Sequence, residues 1–111
     1  MIKISNYTIM DKNFDITVEQ LKKLIEGENA INLFDVREEY EYEDDNLGAK
    51  LVPLGEIPDR LAEFETLKGQ DIYIHCRSGA RSGNAKQFLI AQGFENVHNV
   101  LGGIMAYRKM E

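Results

Sequence analysis

The sequence of 111 residues lacks tryptophan, has two prolines and contains a single cysteine, Cys76. One cysteine excludes an intramolecular disulfide and leaves no second thiol to resolve an oxidised first one, as expected in a reducing compartment. No apolar run approaches the ~20 residues that span a bilayer. The first 14 residues also lack the continuous apolar segment of a signal peptide. The sequence therefore predicts a cytoplasmic protein.

Positive charge is scarce as well, since 13 Lys and Arg residues stand against 19 Asp and Glu residues, a formal net charge of −6. The resulting negative field disfavours contact with nucleic acid phosphates and with anionic membrane surfaces, so neither is expected as a partner. The content of hydrophobic residues is 43% and only nine residues are glycine, which excludes a disordered or fibrous chain. A chain of this length predicts one folded domain.

Short apolar segments alternate with amphipathic ones along the chain. Thr17 and Gln20 form a capping-box pattern at the start of a helix that ends at Gly27. Strands are predicted at residues 31–36, 51–54, 71–75 and 96–100, with a candidate edge strand at 14–16. Helices are predicted around residues 57–64, from about 82 to 93, and at 103–109. This order predicts an α/β fold, a parallel four- to five-stranded sheet with helices on both faces.

Ligands of such sheets bind at the carboxyl ends of the strands, and one of these ends has distinctive chemistry. The sequence IHCRSGARSGNAKQFL places Cys76 directly after the third predicted strand and a helix N-terminus near Ser82. The small residues between them allow the backbone to curl and to direct several N–H groups at the sulfur. The helix N-terminus adds about half a positive charge.

Two arginines in this segment, Arg77 and Arg81, add full positive charges that favour a thiolate over a thiol. We therefore expect the pKa of Cys76 to lie below its ordinary value and the thiolate to be a nucleophile. The alternative is a buried cysteine that acts as a small hydrophobic residue. Two arginines and a glycine turn would contribute nothing to such a role.

The run CRSGARS, preceded by DVRE and followed by LGGIMAY, resembles the single-domain rhodaneses, a family of sulfurtransferases. Further matches are Gly48-Ala49 leading to Val52-Pro53-Leu54. The resemblance extends over about residues 14–110 and implies a single rhodanese-like domain spanning residues 1–111. It also implies a reaction in which Cys76 takes the outer sulfur of a donor such as thiosulfate, becomes a persulfide and passes the sulfur on. The acceptor would be cyanide, a thiol or a protein.

The resemblance assigns donor binding and persulfide stabilisation to six residues, by backbone N–H groups and by charge: Arg77, Ser78, Gly79, Ala80, Arg81 and Ser82. Turnover should fall more than tenfold when Arg81 is replaced by Ala. Supporting roles are predicted for Asp35 and Arg37. Asp35 would accept N–H groups of the cysteine loop, the alternative being a solvated turn with a surface ion pair. The reaction requires neither a cofactor nor a metal.

Two positions depart from the family pattern, because Asp45 stands where a histidine is usual and Tyr107 where a tryptophan is usual. They affect the expected pocket shape and substrate more than the reaction type. The acidic segment, residues 38–45, is interpreted as a solvated helix face or loop. The alternative is that its acids rim the pocket and repel small dianions, which would favour a thiol or protein donor. Burial is the expected role of His75 and His98.

Two other functions remain open at this stage. A cysteine-dependent phosphatase or arsenate reductase also uses a thiolate in a ring of amides, but such enzymes resemble HCxxxxxR, with five residues between cysteine and arginine. Here four residues, 77–80, separate Cys76 from Arg81. A rhodanese-like protein-binding module that relays sulfur to a dedicated partner is the second alternative. Such modules usually lack the cysteine, so its presence argues against a purely binding role.

Overall fold

Residues 11–111 are described by a computed structural model, and residues 1–10, which the signal-peptide prediction concerns, lie outside the described part. Four short strands form one parallel sheet in the order β2-β1-β3-β4. They are β1 (Asn32–Asp35), β2 (Lys50–Leu51), β3 (Ile72–His75) and β4 (Val97–Asn99). The predicted α/β class with a parallel sheet is confirmed.

Helices connect the strands and cover both faces of the sheet. Within the described residues they are α1 (Val18–Glu26), α2 (Glu39–Asp44), α3 (Ala62–Glu65), α4 (Ala80–Ala91) and α5 (Gly103–Met110). Helix α1 begins at the predicted capping box, where the Gln20 N–H donates to Thr17 Oγ1 at 3.2 Å and the Thr17 N–H donates to Gln20 Oε1 at 2.8 Å. No helix among residues 11–111 is long and apolar enough to cross a membrane.

Three predicted elements differ from the structure. Strand β2 ends before Pro53, although the N–H groups of Val52 and Leu54 still donate to the chain at the end of β1. The predicted helix at 57–64 is divided into a 3₁₀ turn, Pro58–Arg60, and the single turn of α3. The predicted edge strand at 14–16 is reduced to one bridge between Ile16 and Val100. Side-chain oxygens of Asn13 and Asp15 accept the β4 N–H groups that a full strand would pair.

Two hydrophobic clusters lie on opposite faces of the sheet. On one face, α3 and α4 contribute Phe64, Ala85 and Leu89 to a cluster that also contains Cys76. On the other face, α1 packs beside α5, and Leu21 contacts a cluster that includes Tyr107. His75 and His98 are both fully buried, as the sequence predicts. The sheet is thus a middle layer, as expected when parallel strands are joined by helical crossovers.

The carboxyl ends of β1, β3 and β4 meet at one edge of the sheet, and the N-terminus of α5 is fixed there. The backbone N–H of Ile104 donates to the Cys76 carbonyl at 2.9 Å, and that of Met105 donates to the Arg77 carbonyl at 3.1 Å. Gly103 has a φ of +58°, and a Cβ at this position would lie 2.5 Å from both carbonyl oxygens. Only glycine therefore allows α5 to start this close to the chain that follows β3.

Candidate active site

Cys76, the predicted nucleophile, lies immediately after β3 and is 1% exposed. Its Sγ accepts hydrogen bonds from the Gly79 N–H at 3.1 Å and from the Ser82 N–H at 3.4 Å. The hydroxyl Oγ of Ser82 is 3.3 Å from the same sulfur. Gly79 has a φ of +110°, a left-handed conformation that lets the loop turn its N–H groups inward. The cysteine loop, residues 76–82, thus forms a cradle around the sulfur.

The ionisation of Cys76 reflects two opposed effects. Burial raises the pKa of the thiol, whereas hydrogen bonds from the Ser82 hydroxyl and from the N–H groups of Ser82, Gly79 and Ser78 lower it. The hydrogen bonds outweigh burial, so the pKa of Cys76 lies below its ordinary value. These donors, rather than the arginine charges emphasised by the sequence, are the largest stabilising contributions to the thiolate.

Asn99, a residue that the sequence analysis did not identify, forms hydrogen bonds with two residues of this cradle. Its side chain is at the end of β4 and is 8% exposed. Asn99 Oδ1 accepts a hydrogen bond from Ser82 Oγ at 2.6 Å, and Asn99 Nδ2 donates to the Gly79 carbonyl at 3.1 Å. One amide therefore orients both residues that donate to Cys76 Sγ. The available signal was a polar residue at the carboxyl end of a predicted strand, where parallel sheets place their sites.

The two arginines of the loop have different surroundings. Arg81 forms a bidentate pair with Glu41, with Nη1–Oε1 and Nη2–Oε2 distances of 2.7 and 2.9 Å. The hydrogen bond from Arg81 lowers the pKa of Glu41 to about 2. The hydrogen bond to Glu41, with smaller contributions from the negative charges of Glu41 and Cys76, in turn raises the pKa of Arg81. Arg77 is exposed, and among residues 11–111 it has no ion-pair partner.

Asp35 and Arg37, the predicted supporting residues, form a buried pair with side chains 0% and 5% exposed. Asp35 accepts the Arg37 backbone N–H at 3.0 Å and the guanidinium Nη2 at 2.8 Å. Within the described residues it accepts no N–H of the cysteine loop, so that expectation is wrong, as is the alternative of a solvated turn. Because Arg37 occupies the carboxylate and also donates to the Asp45 carbonyl at 2.7 Å, it ties the end of β1 to the end of α2.

His75 lies beside this buried pair and not in the cradle. Its side chain is fully buried, and its Nε2 is 3.6 Å from Asp35 Oδ2 and has no hydrogen-bond partner among residues 11–111. Burial lowers the pKa of His75, which favours the neutral imidazole. Its buried location agrees with the structural role that the sequence predicts.

A cavity of about 770 Å³ opens next to the cysteine loop and is lined by α2, α5 and Arg77. Helix α2 has no buried residue, as expected of a solvated helix, yet Glu41, Asp44 and Asp45 all line the cavity. Asp45 pairs with Arg108 at 2.7 Å across this opening. The acidic segment is thus a solvated helix that also forms one wall of the cavity. That its acids repel small dianions stays a prediction. Within the described chain, no group of three or more His, Cys, Asp or Glu residues is placed to hold a metal ion.

The comparisons with known proteins agree with this architecture. A family model described as the rhodanese-like domain matches residues 17–110. The "Putative sulfurtransferase YtwF" of Bacillus subtilis is 38% identical over 95 residues, which cover 84% of this chain and 88% of that protein. The crystal structure of a rhodanese-like domain protein from Staphylococcus aureus has a TM-score of 0.75 and 36% identity, covering 86% of this chain and 90% of that one.

A second relative from Bacillus subtilis is longer than this chain. The "Putative sulfur carrier protein YrkF" is 37% identical over 91 residues, which cover 81% of this chain but 48% of that protein. The chain thus spans about half the length of that relative.

Proposed function

Because the chain belongs to the rhodanese-like domain family, we propose that it is a sulfurtransferase in which Cys76 carries the sulfur as a persulfide. The observation that carries the proposal is the convergence of the Gly79 N–H, the Ser82 N–H and the Ser82 hydroxyl on one buried sulfur. These donors lower the pKa of Cys76 below its ordinary value, which increases the fraction of the thiol that is present as the nucleophilic thiolate.

In the first half of the reaction, the Cys76 thiolate attacks the outer sulfur of a donor such as thiosulfate. An Sγ–S bond forms, the S–S bond of the donor breaks, and its electron pair leaves on sulfite. In the second half, cyanide, a thiol or an acceptor protein attacks the terminal sulfur and restores the Cys76 thiolate. Atoms and charge balance in each half, so the cycle needs no external oxidant or cofactor.

The same loop would stabilise the persulfide once it has formed. Negative charge then moves to the terminal sulfur, one bond farther from the protein than Sγ. The N–H groups of residues 77–82 and the positive charge of Arg81 would surround that sulfur, and Arg77 would hold the anionic end of the donor. A reducing compartment such as the cytoplasm would keep the single cysteine free for this cycle.

The test is the intact mass of the reduced protein after brief incubation with thiosulfate, with Cys76→Ser as the matched control. The wild type should gain the mass of one sulfur atom, the variant none, and cyanide should remove the added sulfur as thiocyanate. A wild type that gains no sulfur from thiosulfate or from an organic sulfane donor contradicts the proposal. Hydrolysis of an aryl phosphate that depends on Cys76 would then favour the phosphatase alternative.

A further inference from the structure

The segment before α1, residues 13–16, lies along the outer edge of β4 and is called the edge segment below. The backbone N–H of Ile16 donates to the Asn99 carbonyl at 3.0 Å, and Asp15 Oδ1 accepts the backbone N–H of Asn99 at 3.2 Å. The edge segment therefore holds both backbone polar groups of Asn99. Because the side chain of the same residue bonds to two residues of the cysteine loop, Asn99 joins the edge segment to the candidate active site.

A buried lysine of α4 fixes the Asp15 carboxylate. Lys86 is 9% exposed, and its Nζ donates to Asp15 Oδ1 at 2.6 Å and to the Asn13 carbonyl. Lys86 follows Ser82 by four residues on α4, the spacing that places two side chains on one face of a helix, and both are buried. The Asp15 side chain is 37% exposed, so without this cation the carboxylate could turn towards solvent.

These contacts form one continuous polar network that begins at the nucleophile. Ser82 Oγ is 3.3 Å from Cys76 Sγ and donates to Asn99 Oδ1 at 2.6 Å. The backbone of Asn99 then bonds to Asp15, and Asp15 bonds to Lys86. Each member except Asp15 is buried. In a buried network the position of each group limits the position of the next, because a misplaced polar group loses its partner where water cannot replace it.

We propose that Asp15 is a positioning residue for the cysteine loop. Its carboxylate, held by Lys86, fixes the backbone of Asn99, so that the Asn99 side chain keeps the loop's donors directed at Cys76 Sγ. Asp15 acts on the sulfur only through Asn99 and the loop, and it is not a catalytic residue. The importance of this role for catalysis rests on the proposed function, whereas the effect on the ionisation of Cys76 can be measured without it.

The direction of the effect distinguishes positioning from a charge effect through space. A carboxylate disfavours a nearby thiolate, so the loss of its charge alone would lower the pKa of Cys76. The loss of positioning would instead weaken the hydrogen bonds from Ser82 and Gly79 that lower this pKa, and the pKa of Cys76 would rise. Asp15→Ala removes both the charge and the acceptor, whereas Asp15→Asn keeps an oxygen that can accept the Asn99 N–H.

The test is a pH titration of the Cys76 thiolate by its ultraviolet absorbance, with the same protein carrying Cys76→Ser subtracted as the baseline. Asp15→Ala should move the midpoint to higher pH and reduce the thiolate fraction below the midpoint about two- to fivefold. Asp15→Asn should leave the midpoint at or below that of the wild type. Lys86→Met, measured in high salt to screen the loss of its own charge, should move the midpoint upward by less than Asp15→Ala.

Glu95→Ala is the matched control for Asp15→Ala. It also removes one carboxylate that pairs with a lysine, since Glu95 Oε1 is 3.3 Å from Lys12 Nζ. Within residues 11–111, Glu95 forms no hydrogen bond with Asn99. The control should therefore leave the midpoint of the Cys76 titration unchanged. Thermal unfolding of each variant checks that the fold is retained, and Lys86→Met provides the test if Asp15→Ala does not fold.

The outcomes separate the two proposals. A midpoint that stays in place or moves to lower pH in Asp15→Ala, or that rises equally in Asp15→Asn, overturns the positioning role while sulfur transfer stands. If the variant that folds is Lys86→Met alone, an unchanged midpoint overturns it. The intact-mass assay decides the other question, because a wild type that takes up no sulfur contradicts the proposed function whatever the titrations show.

Discussion

The cysteine loop, residues 76–82, and the acidic segment, residues 38–45, both contribute residues to the lining of one cavity and are held in different ways. Hydrogen bonds hold the loop, because its own N–H groups donate to Cys76 Sγ, the Ser82 hydroxyl donates to Asn99 Oδ1, and Asn99 Nδ2 donates to the Gly79 carbonyl. Ion pairs hold the acidic segment, through Glu41 to Arg81 and through Asp45 to Arg108. The sulfur is thus contacted by backbone N–H groups and the Ser82 hydroxyl, whereas charged side chains of the acidic segment line the cavity.

This difference separates the chemistry from the selectivity of the proposed reaction. A buried cradle built from the backbone has little freedom to change, because each lost donor leaves a polar group without a partner. Ion pairs that are partly exposed are individually weak and are screened by salt, so substitutions there cost little stability. We therefore expect substitutions around the loop to affect folding and reactivity together, and those in the acidic segment to affect mainly donor choice and acid stability.

The largest effect is expected from Gly103→Ala, which pushes α5 away from the cysteine loop. The added Cβ would be 2.5 Å from the carbonyl oxygens of Cys76 and Arg77, at a φ of +58° that disfavours alanine. Strain and contact together should lower the free energy of unfolding by about 2–5 kcal/mol, and sulfur transfer should fall more than tenfold. Urea unfolding and the intact-mass assay measure the two effects.

Gly69→Ala is the matched control for this prediction. Gly69 also has a positive φ, +89°, but no atom of the described residues lies within 4 Å of its Cβ position. The control should cost about 1 kcal/mol for the backbone conformation alone and leave sulfur transfer intact. Equal losses of stability in the two variants would show that the contact of α5 with the loop is unimportant.

The cysteine loop could be predicted from sequence because its parts are local. The strand that ends in His75, the small residues 78–80 and the helix near Ser82 follow one another within a few residues, and such a turn directs N–H groups at the residue after the strand. The parallel sheet could be predicted for the same reason, since the alternation of apolar segments with amphipathic helices demands it. The limits of the strands were less predictable, because Asn13 and Asp15 replace backbone acceptors with side chains.

The side-chain contacts that support the cysteine loop could not be predicted, because they join residues that are distant in the sequence. Asn99 is 17 residues from Ser82, and Arg81 is 40 residues from Glu41. Both contacts depend on which strands are neighbours and in what register, which a single sequence does not specify. Asp35 was misjudged for a related reason, because an arginine only two residues away occupies its carboxylate before the cysteine loop can reach it.

An effect of intermediate size on the reactivity of Cys76 is expected from Asn99→Ala. This substitution removes the two side-chain hydrogen bonds of Asn99 and leaves the groups that donate to Cys76 Sγ in place. Ser82 and Gly79 would lose their orienting bonds of 2.6 and 3.1 Å, so their hydrogen bonds to the thiolate should weaken and the pKa of Cys76 should rise. Alkylation of Cys76 by iodoacetamide should be about three- to tenfold slower at neutral pH, with the midpoint of the pH–rate profile at higher pH.

Asn84→Ala is the control for this experiment, since Asn84 is exposed on α4 and its loss should not move the profile. The opposite shift in Asn99→Ala, to lower pH, would contradict a bracing role. The Ser82 hydroxyl has a single proton, and Asn99 Oδ1 at 2.6 Å and Cys76 Sγ at 3.3 Å both accept it. A downward shift would mean that Asn99 competes with the thiolate for that proton.

The smallest effect is expected from Glu41→Gln, which removes one charge from the acidic segment. It is measured as a change in thermal stability that depends on pH. The hydrogen bond from Arg81 lowers the pKa of Glu41 from 4.5 to about 2. A carboxyl group whose pKa is lowered by folding stabilises the folded state above its unfolded pKa and loses that contribution as the pH falls through the folded value. The melting temperature of the wild type should thus exceed that of Glu41→Gln by about 2–4 °C at pH 6. This excess should shrink between pH 4.5 and pH 2.

His75, buried beside Asp35, provides a contrast within the same pH titration. Burial lowers the pKa of His75 from 6.5, so the unfolded chain binds more protons there than the folded one. Stability should therefore begin to fall below about pH 6.5, and this loss should be the same in wild type and Glu41→Gln because His75 contacts Asp35 and not the acidic segment. Thermal unfolding of both proteins from pH 7 to pH 2 measures the two losses separately. A difference that stays constant across pH 4.5 to pH 2 would show that Arg81 does not stabilise the ionised Glu41.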